Sequence, residues 1–151
     1  MNLIFSWNSI LASMEKEKIM LHAITNVNKQ VLFDLLKNNN VEAIVVTFDG
    51  AGDRGSINNI ELTPESAQPL LEEPAIGFTW PEYAGTAPDP GLYNVTIKDV
   101  IETICYDFLR ISNRGWETDE GAYGTFEFIT KDNKVKLDFY ERSESNYEYE
   151  F

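Results

Sequence analysis

The side chains best suited to chemistry fall in two acidic segments flanked by glycine. In the first, Asp49 and Asp53 alternate with Gly50, Gly52 and Gly55 between Phe48 and Ser56. Glycine tolerates left-handed backbone conformations, so both carboxylates can turn toward one cation or toward a partner's arginine. The acids do not occupy the alternate positions of a calcium loop. The same residues also suit a plain hairpin turn, in which the Asp side chains accept backbone N–H bonds and Arg54 pairs locally. The second segment places Glu117, Asp119 and Glu120 between Trp116 and Gly121. Combined with Asp49, Asp53 and Glu61, it would supply a carboxylate site for Mg²⁺, Mn²⁺ or Ca²⁺ of the kind two-metal hydrolases use. Taken alone, it is a solvated loop.

Other chemistries find little support. His22, the single histidine, lies in a helical segment with no Ser or Cys motif beside it, which suits a structural role. Cys105 falls on an apolar helical stripe, where a buried, inert thiol is expected. One His and one Cys cannot make a zinc site of three or four N/S ligands. The glycines at 50, 52 and 55 are followed by a second extended segment rather than a helix, so no helix N-terminus is available for a phosphate.

Charge narrows the class of partner. The chain carries 25 acidic and 12 basic residues, a formal net charge of −13, which opposes contact with nucleic-acid phosphates or anionic lipid and favours a basic protein surface. Its aromatic residues interleave with acids, whereas a base-stacking platform needs Lys or Arg. Acids and bases balance over residues 1–48 and 96–114, so the net charge sits in 49–95 and 115–151. The tail, with Tyr147 and Tyr149 between glutamates, suits an edge strand or an acidic aromatic docking peptide.

The elements that must position these residues follow from hydrophobic period. Leu21, Ile24, Val31, Leu32, Leu35 and Leu36 recur at helical spacing over residues 13–37, ahead of three asparagines at 38–40. Residues 1–12 are expected as a packed N-terminal arm. They lack the basic n-region of a signal peptide and the apolar length of a membrane span, and Met14 offers a second start. Strands are expected over 43–48 and 56–62, joined by the glycine-rich turn, with a short helix from Pro64 to Leu71. Residues 72–94 hold four prolines and three glycines and form a long loop carrying Phe78, Trp80 and Tyr83. Thr96 and Asp99 make a capping box for a second helix over 96–112. Strands at 125–130 and 135–141 flank a turn at 131–134, and 147–151 offers a fifth.

Residues 49–55 resemble the turn of an uncharacterised bacterial and mobile-element family, a domain of unknown function with an acidic Gly-Ser-Gly-Asp-x-Gly turn after a strand. Gly115, Trp116 and residues 121–128 extend the likeness, and Ala51 stands where that turn has serine. The resemblance adds context to this segment but no mechanism.

Length and pattern therefore predict a single α+β domain over residues 1–151, with two main helices on one face of a four- or five-stranded antiparallel sheet. The expected function is a cytoplasmic, non-enzymatic interaction module without a cofactor, engaging a basic protein surface through Asp49, Asp53, Glu117, Asp119, Glu120, Tyr147 and Tyr149. It would act as an inhibitor or accessory factor in a bacterial defence or mobile-element setting, with no nucleic acid or membrane as direct partner. The alternative is a divalent-metal-dependent hydrolase or metal-binding domain built on Asp49, Asp53 and Glu61. The sequence leaves the oligomeric state open.

Overall fold

Neither proline nor glycine occurs before Gly50, so nothing in the backbone interrupts a helix in the N-terminal third of the chain. The computed structural model describes residues 3–51, 54–78, 95–113, 116, 121–142 and 146–151, with backbone alone at 3–18, 20, 21, 51 and 54. It has one long helix there, α1 (Leu3–Asn38). Residues 3–12, expected as an arm, are instead the first turns of this helix. The end of α1 is set by Asn40, which takes a left-handed φ of 56°. Val41 N–H then donates to Leu36 O and Asn40 N–H to Lys37 O, the paired bonds that close a helix C-terminus when the residue after the cap turns left-handed.

Strands β1 (Ala43–Ala51) and β2 (Arg54–Thr63) pair as far as Ala51 opposite Arg54. The ladder therefore runs into the expected seven-residue glycine turn, with Asp49, Gly50 and Ala51 paired to Ser56, Gly55 and Arg54, and residues 52 and 53 lie outside the described residues. Glu65–Glu72 forms a 3₁₀ helix where the short helix was expected, with Pro69 inside it. Proline lacks the N–H that an α-helical bond at that position would need. The residues on either side of the expected long loop, most of which lies outside the described residues, are held together: Ala75 N–H donates to Val95 O and Ile97 N–H to Glu73 O. Phe78 packs against the core, whereas Trp80 and Tyr83 lie outside the described residues. Helix α2 (Ile97–Ser112) begins with the expected capping box: Asp99 N–H donates to Thr96 Oγ1 at 3.3 Å and Thr96 N–H to Asp99 Oδ2 at 2.9 Å. Strands β3 (Ala122–Ile129), β4 (Lys134–Glu141) and β5 (Asn146–Glu150) complete the chain.

The five strands form one antiparallel sheet in the order β2-β1-β3-β4-β5, so the fold is α+β with β5 as its fifth strand. Strand alternation divides the sheet into two faces. Ile44, Val46 and Phe48 of β1, Phe126 and Phe128 of β3, and Val135, Leu137 and Phe139 of β4 are buried. Phe33 of α1 meets Phe128 with ring centroids 6.2 Å apart, and Phe108 of α2 meets Phe126 at 6.3 Å. Phe151 continues β5 and stacks on Phe108 at 4.5 Å, which ties the tail into the core.

Candidate functional site

The second face of the sheet carries the polar half of each strand, and the ladder register turns it into a grid. Asn59, Thr47, Thr125, Asp138 and Glu148 stand side by side across β2, β1, β3, β4 and β5. One row toward one end lie Ser56, Asp49, Tyr123, Tyr140 and Asn146, and one row toward the other lie Glu61, Val45, Glu127, Lys136 and Glu150. Adjacent rows are about 7 Å apart and adjacent strands about 5 Å.

Each row has its own electrostatics. In the row of Asp49, Tyr123 and Tyr140 stack with centroids 5.2 Å apart at 11°, and the Arg142 guanidinium lies 5.3 Å from the Tyr123 ring centre. Arg142 also pairs with Asp49, so this end of the face is charge-balanced. The two rings remain 43% and 37% exposed, and stacked tyrosines on an open surface offer rigid apolar area with a polar tip. At the far end, Lys136 stands between Glu127 and Glu150, and Lys134 Nζ lies 3.6 Å from Glu150 Oε2. In the middle row Asp138 faces Glu148 directly and no cation shares the row. Directly opposed like charges destabilise a sheet by a few tenths to about 1 kcal/mol, a cost that a cation brought from outside would relieve.

The residues expected at the site scatter over this frame. Asp49 and Glu61 both face the open side, but their registry positions on β1, Asp49 itself and Val45, are four residues apart. That places them about 13 Å apart along the strand, too far to ligate one ion. Asp49 pairs with Arg142 instead, and Glu61 Oε1 accepts a bond from Asn59 Nδ2 at 2.9 Å. Asp53, Glu117, Asp119 and Glu120 lie outside the described residues. Among the described residues no three His, Cys, Asp or Glu side chains gather closely enough to hold a metal ion.

Tyr147 and Tyr149, expected among the partner-binding residues, lie on the core side of β5. Their register partners are Phe139 and Leu137, which belong to the core side. Tyr149 stacks on Phe151 and its hydroxyl lies 3.4 Å from Asn113 Oδ1, while Tyr147 is 43% exposed at the margin of the same side. Asn146, Glu148 and Glu150 are the members of β5 that reach the open face.

The glycine argument also changes. Gly50 and Gly55 face each other as extended ladder residues, and a Cβ on Gly55 would stand 2.3 Å from Trp116. Gly55 therefore makes room for the Trp116 indole, which meets Phe48 edge-on at 5.4 Å. Trp116 anchors the chain immediately before the second acidic segment.

Pairing of Thr47 with Asn59 and of Phe48 with Ile57 leaves Asn58 as an extra residue, a bulge in β2. The outer side of β2 is occupied: Ile57 N–H donates to the Tyr106 hydroxyl at 3.1 Å, Leu62 N–H donates to Gln68 Oε1 at 2.9 Å, and Gln68 Nε2 donates to Ile60 O at 2.7 Å.

Two helix residues bear on chemistry. Cys105 is fully buried and burial pushes its thiol well above the usual range, so it supplies no thiolate. No motif marks Asp107, yet only 7% of it is exposed, and the Arg110 guanidinium 3.9 Å from it has a side chain 60% exposed. Burial raises its carboxyl to about 6 despite the opposing pull of Arg110. The spacing of Val100, Ile104 and Asp107 on the inward side of α2 is the signal that marks it. His22 is exposed on α1.

Fold and site together define an α+β domain that presents an exposed, carboxylate-rich sheet face with a tyrosine stack at one end. The chain belongs to a family of unknown function, DUF6878, whose model matches residues 24–151. No curated protein and no solved structure matches it. Among the described residues no helix is long and apolar enough to cross a membrane.

Proposed function

We propose that the protein is a non-enzymatic interaction module whose open sheet face binds a basic protein surface. The observation that carries this reading is the opposition of Asp138 and Glu148 in a row without a cation, beside the exposed Tyr123–Tyr140 stack. A lysine or arginine from a partner would relieve the repulsion between the two carboxylates, while the tyrosines supply apolar contact area of the kind that anchors interfaces. The net charge of −13 adds long-range attraction to such a surface and repulsion from nucleic acid. The proposed setting is bacterial, with the protein a cytoplasmic inhibitor or accessory factor of a defence or mobile-element system; the resemblance of residues 49–55 to the mobile-element turn is what supports it. A carboxylate metal site gains no support from Asp49 and Glu61, which the register holds apart.

The test is charge reversal on the face. The native chain and an Asp138→Lys/Glu148→Lys variant are used to capture proteins from host extract, and each captured protein is then purified and titrated against both. The expected result is a protein with a basic surface whose affinity weakens with salt and falls at least tenfold with the variant. A captured protein that binds both chains equally, or DNA or RNA bound more tightly than micromolar at physiological salt, counts against the proposal.

A further inference from the structure

The two edges of the sheet differ in what they leave unmade. On β2, Tyr106 and Gln68 take up the outward backbone groups of Ile57, Ile60 and Leu62. On β5 the ladder identifies the outward groups. Val135 and Phe151 exchange both backbone bonds, Val135 N–H to Phe151 O at 3.2 Å and Phe151 N–H to Val135 O at 2.7 Å. In an antiparallel pair such reciprocal pairs alternate, so Tyr149 and Tyr147 also bond inward to Leu137 and Phe139. The N–H and C=O groups of Glu148 and Glu150 therefore point away from the sheet. Both residues are exposed, and no described side chain bonds their backbone as Gln68 bonds that of β2. A row of unpaired strand groups is a template for another strand.

We infer that this edge accepts an extended, basic segment of the partner as a sixth antiparallel strand. The inference deepens the proposed open-face interaction and rests on it. Charge selects the occupant. The side chains beside these outward backbone groups are Glu148 and Glu150, and Asp138 stands next to Glu148 on β4. Lysine or arginine at alternate positions of the incoming strand meets these carboxylates on the open face. The intervening positions fall on the side of Tyr147 and Tyr149, where apolar side chains find aromatic surface. A second copy of this chain is the wrong occupant, because pairing β5 with itself sets Glu148 and Glu150 against their own kind.

The probe is a short acetylated peptide alternating lysine and valine, titrated into the full chain while amide hydrogen exchange is followed by NMR. The expected result is salt-sensitive binding with at least tenfold slower exchange at Glu148 and Glu150. Glu148→Pro removes an outward N–H without removing a ladder bond and should weaken binding at least tenfold. The same peptide N-methylated at alternate residues, given to the native chain, should lose binding whether or not that variant folds. Binding without protection of these two amides, or no binding at all, overturns the inference. If Glu148→Pro binds normally but Asp138→Lys does not, the edge is wrong and the face reading survives. If both variants bind as the native chain does, both readings fall.

Discussion

Replacing Asp107 with asparagine should stabilise the protein at neutral pH, and the structure sets the size of the effect. Asp107 is held inside on α2 with 7% exposure, and burial raises its carboxyl from 3.8 to about 6. A carboxyl whose folded value lies above its unfolded one contributes stability that is full below about 3.8 and lost as pH rises through about 6. A shift of roughly 2 pH units corresponds to a cost of up to about 3 kcal/mol above neutrality. Asparagine keeps the shape and carries no charge, so the cost of burying the carboxylate disappears. The ion pair forfeited is small, because Arg110 sits 3.9 Å away and largely in water. The variant should gain about 1–3 kcal/mol at pH 7.5, a rise in Tm of about 3–9 °C for a chain of this size. At pH 4 the difference should shrink to under about 1 kcal/mol, since the native carboxyl is then protonated in the fold. Thermal melts of both proteins at pH 7.5 and pH 4 decide it. Equal or lower stability of Asp107→Asn at pH 7.5, or a gap that does not depend on pH, refutes the reasoning.

Two further substitutions test the frame that holds the open face. Gly124→Ala places a Cβ 2.0 Å from the Asp138 carbonyl oxygen and 3.0 Å from Phe48 Cζ, so β3 must shift away from β4; urea denaturation should show a loss of about 2–4 kcal/mol. Thr96→Ala removes one arm of the α2 capping box and should cost about 1 kcal/mol by the same assay.

Local periodicity made much of this fold legible. The stripe of Val100, Ile101, Ile104, Cys105 and Phe108 defined α2, and the alternation of Phe126 and Phe128 with Glu127 defined the centre of β3. What remained hidden depends on neighbours distant in sequence. Gly50 and Gly55 look like turn residues until the Trp116 indole is found over Gly55. The facing of Tyr147 and Tyr149 depends on the β4–β5 register, and a shift of one residue would have put both on the open face. Asp138 and Glu148 were never linked in the sequence because only that register brings them together. The start of α1 is hidden because an apolar segment without charge alternation shows no helical period; only its lack of proline and glycine is compatible with the helix found there. Asp53 and the 117–120 acids lie outside the described residues, and their expected role stays where the sequence put it.

The most direct test of face binding is a salt titration of the captured partner's affinity for the native chain and for Asp138→Lys/Glu148→Lys, with both chains first shown to melt alike. Affinity for the native chain should fall steadily as salt rises, while the variant should bind at least tenfold more weakly at low salt and show a flatter dependence. Equal affinities with parallel salt dependence would mean that the partner does not use this face.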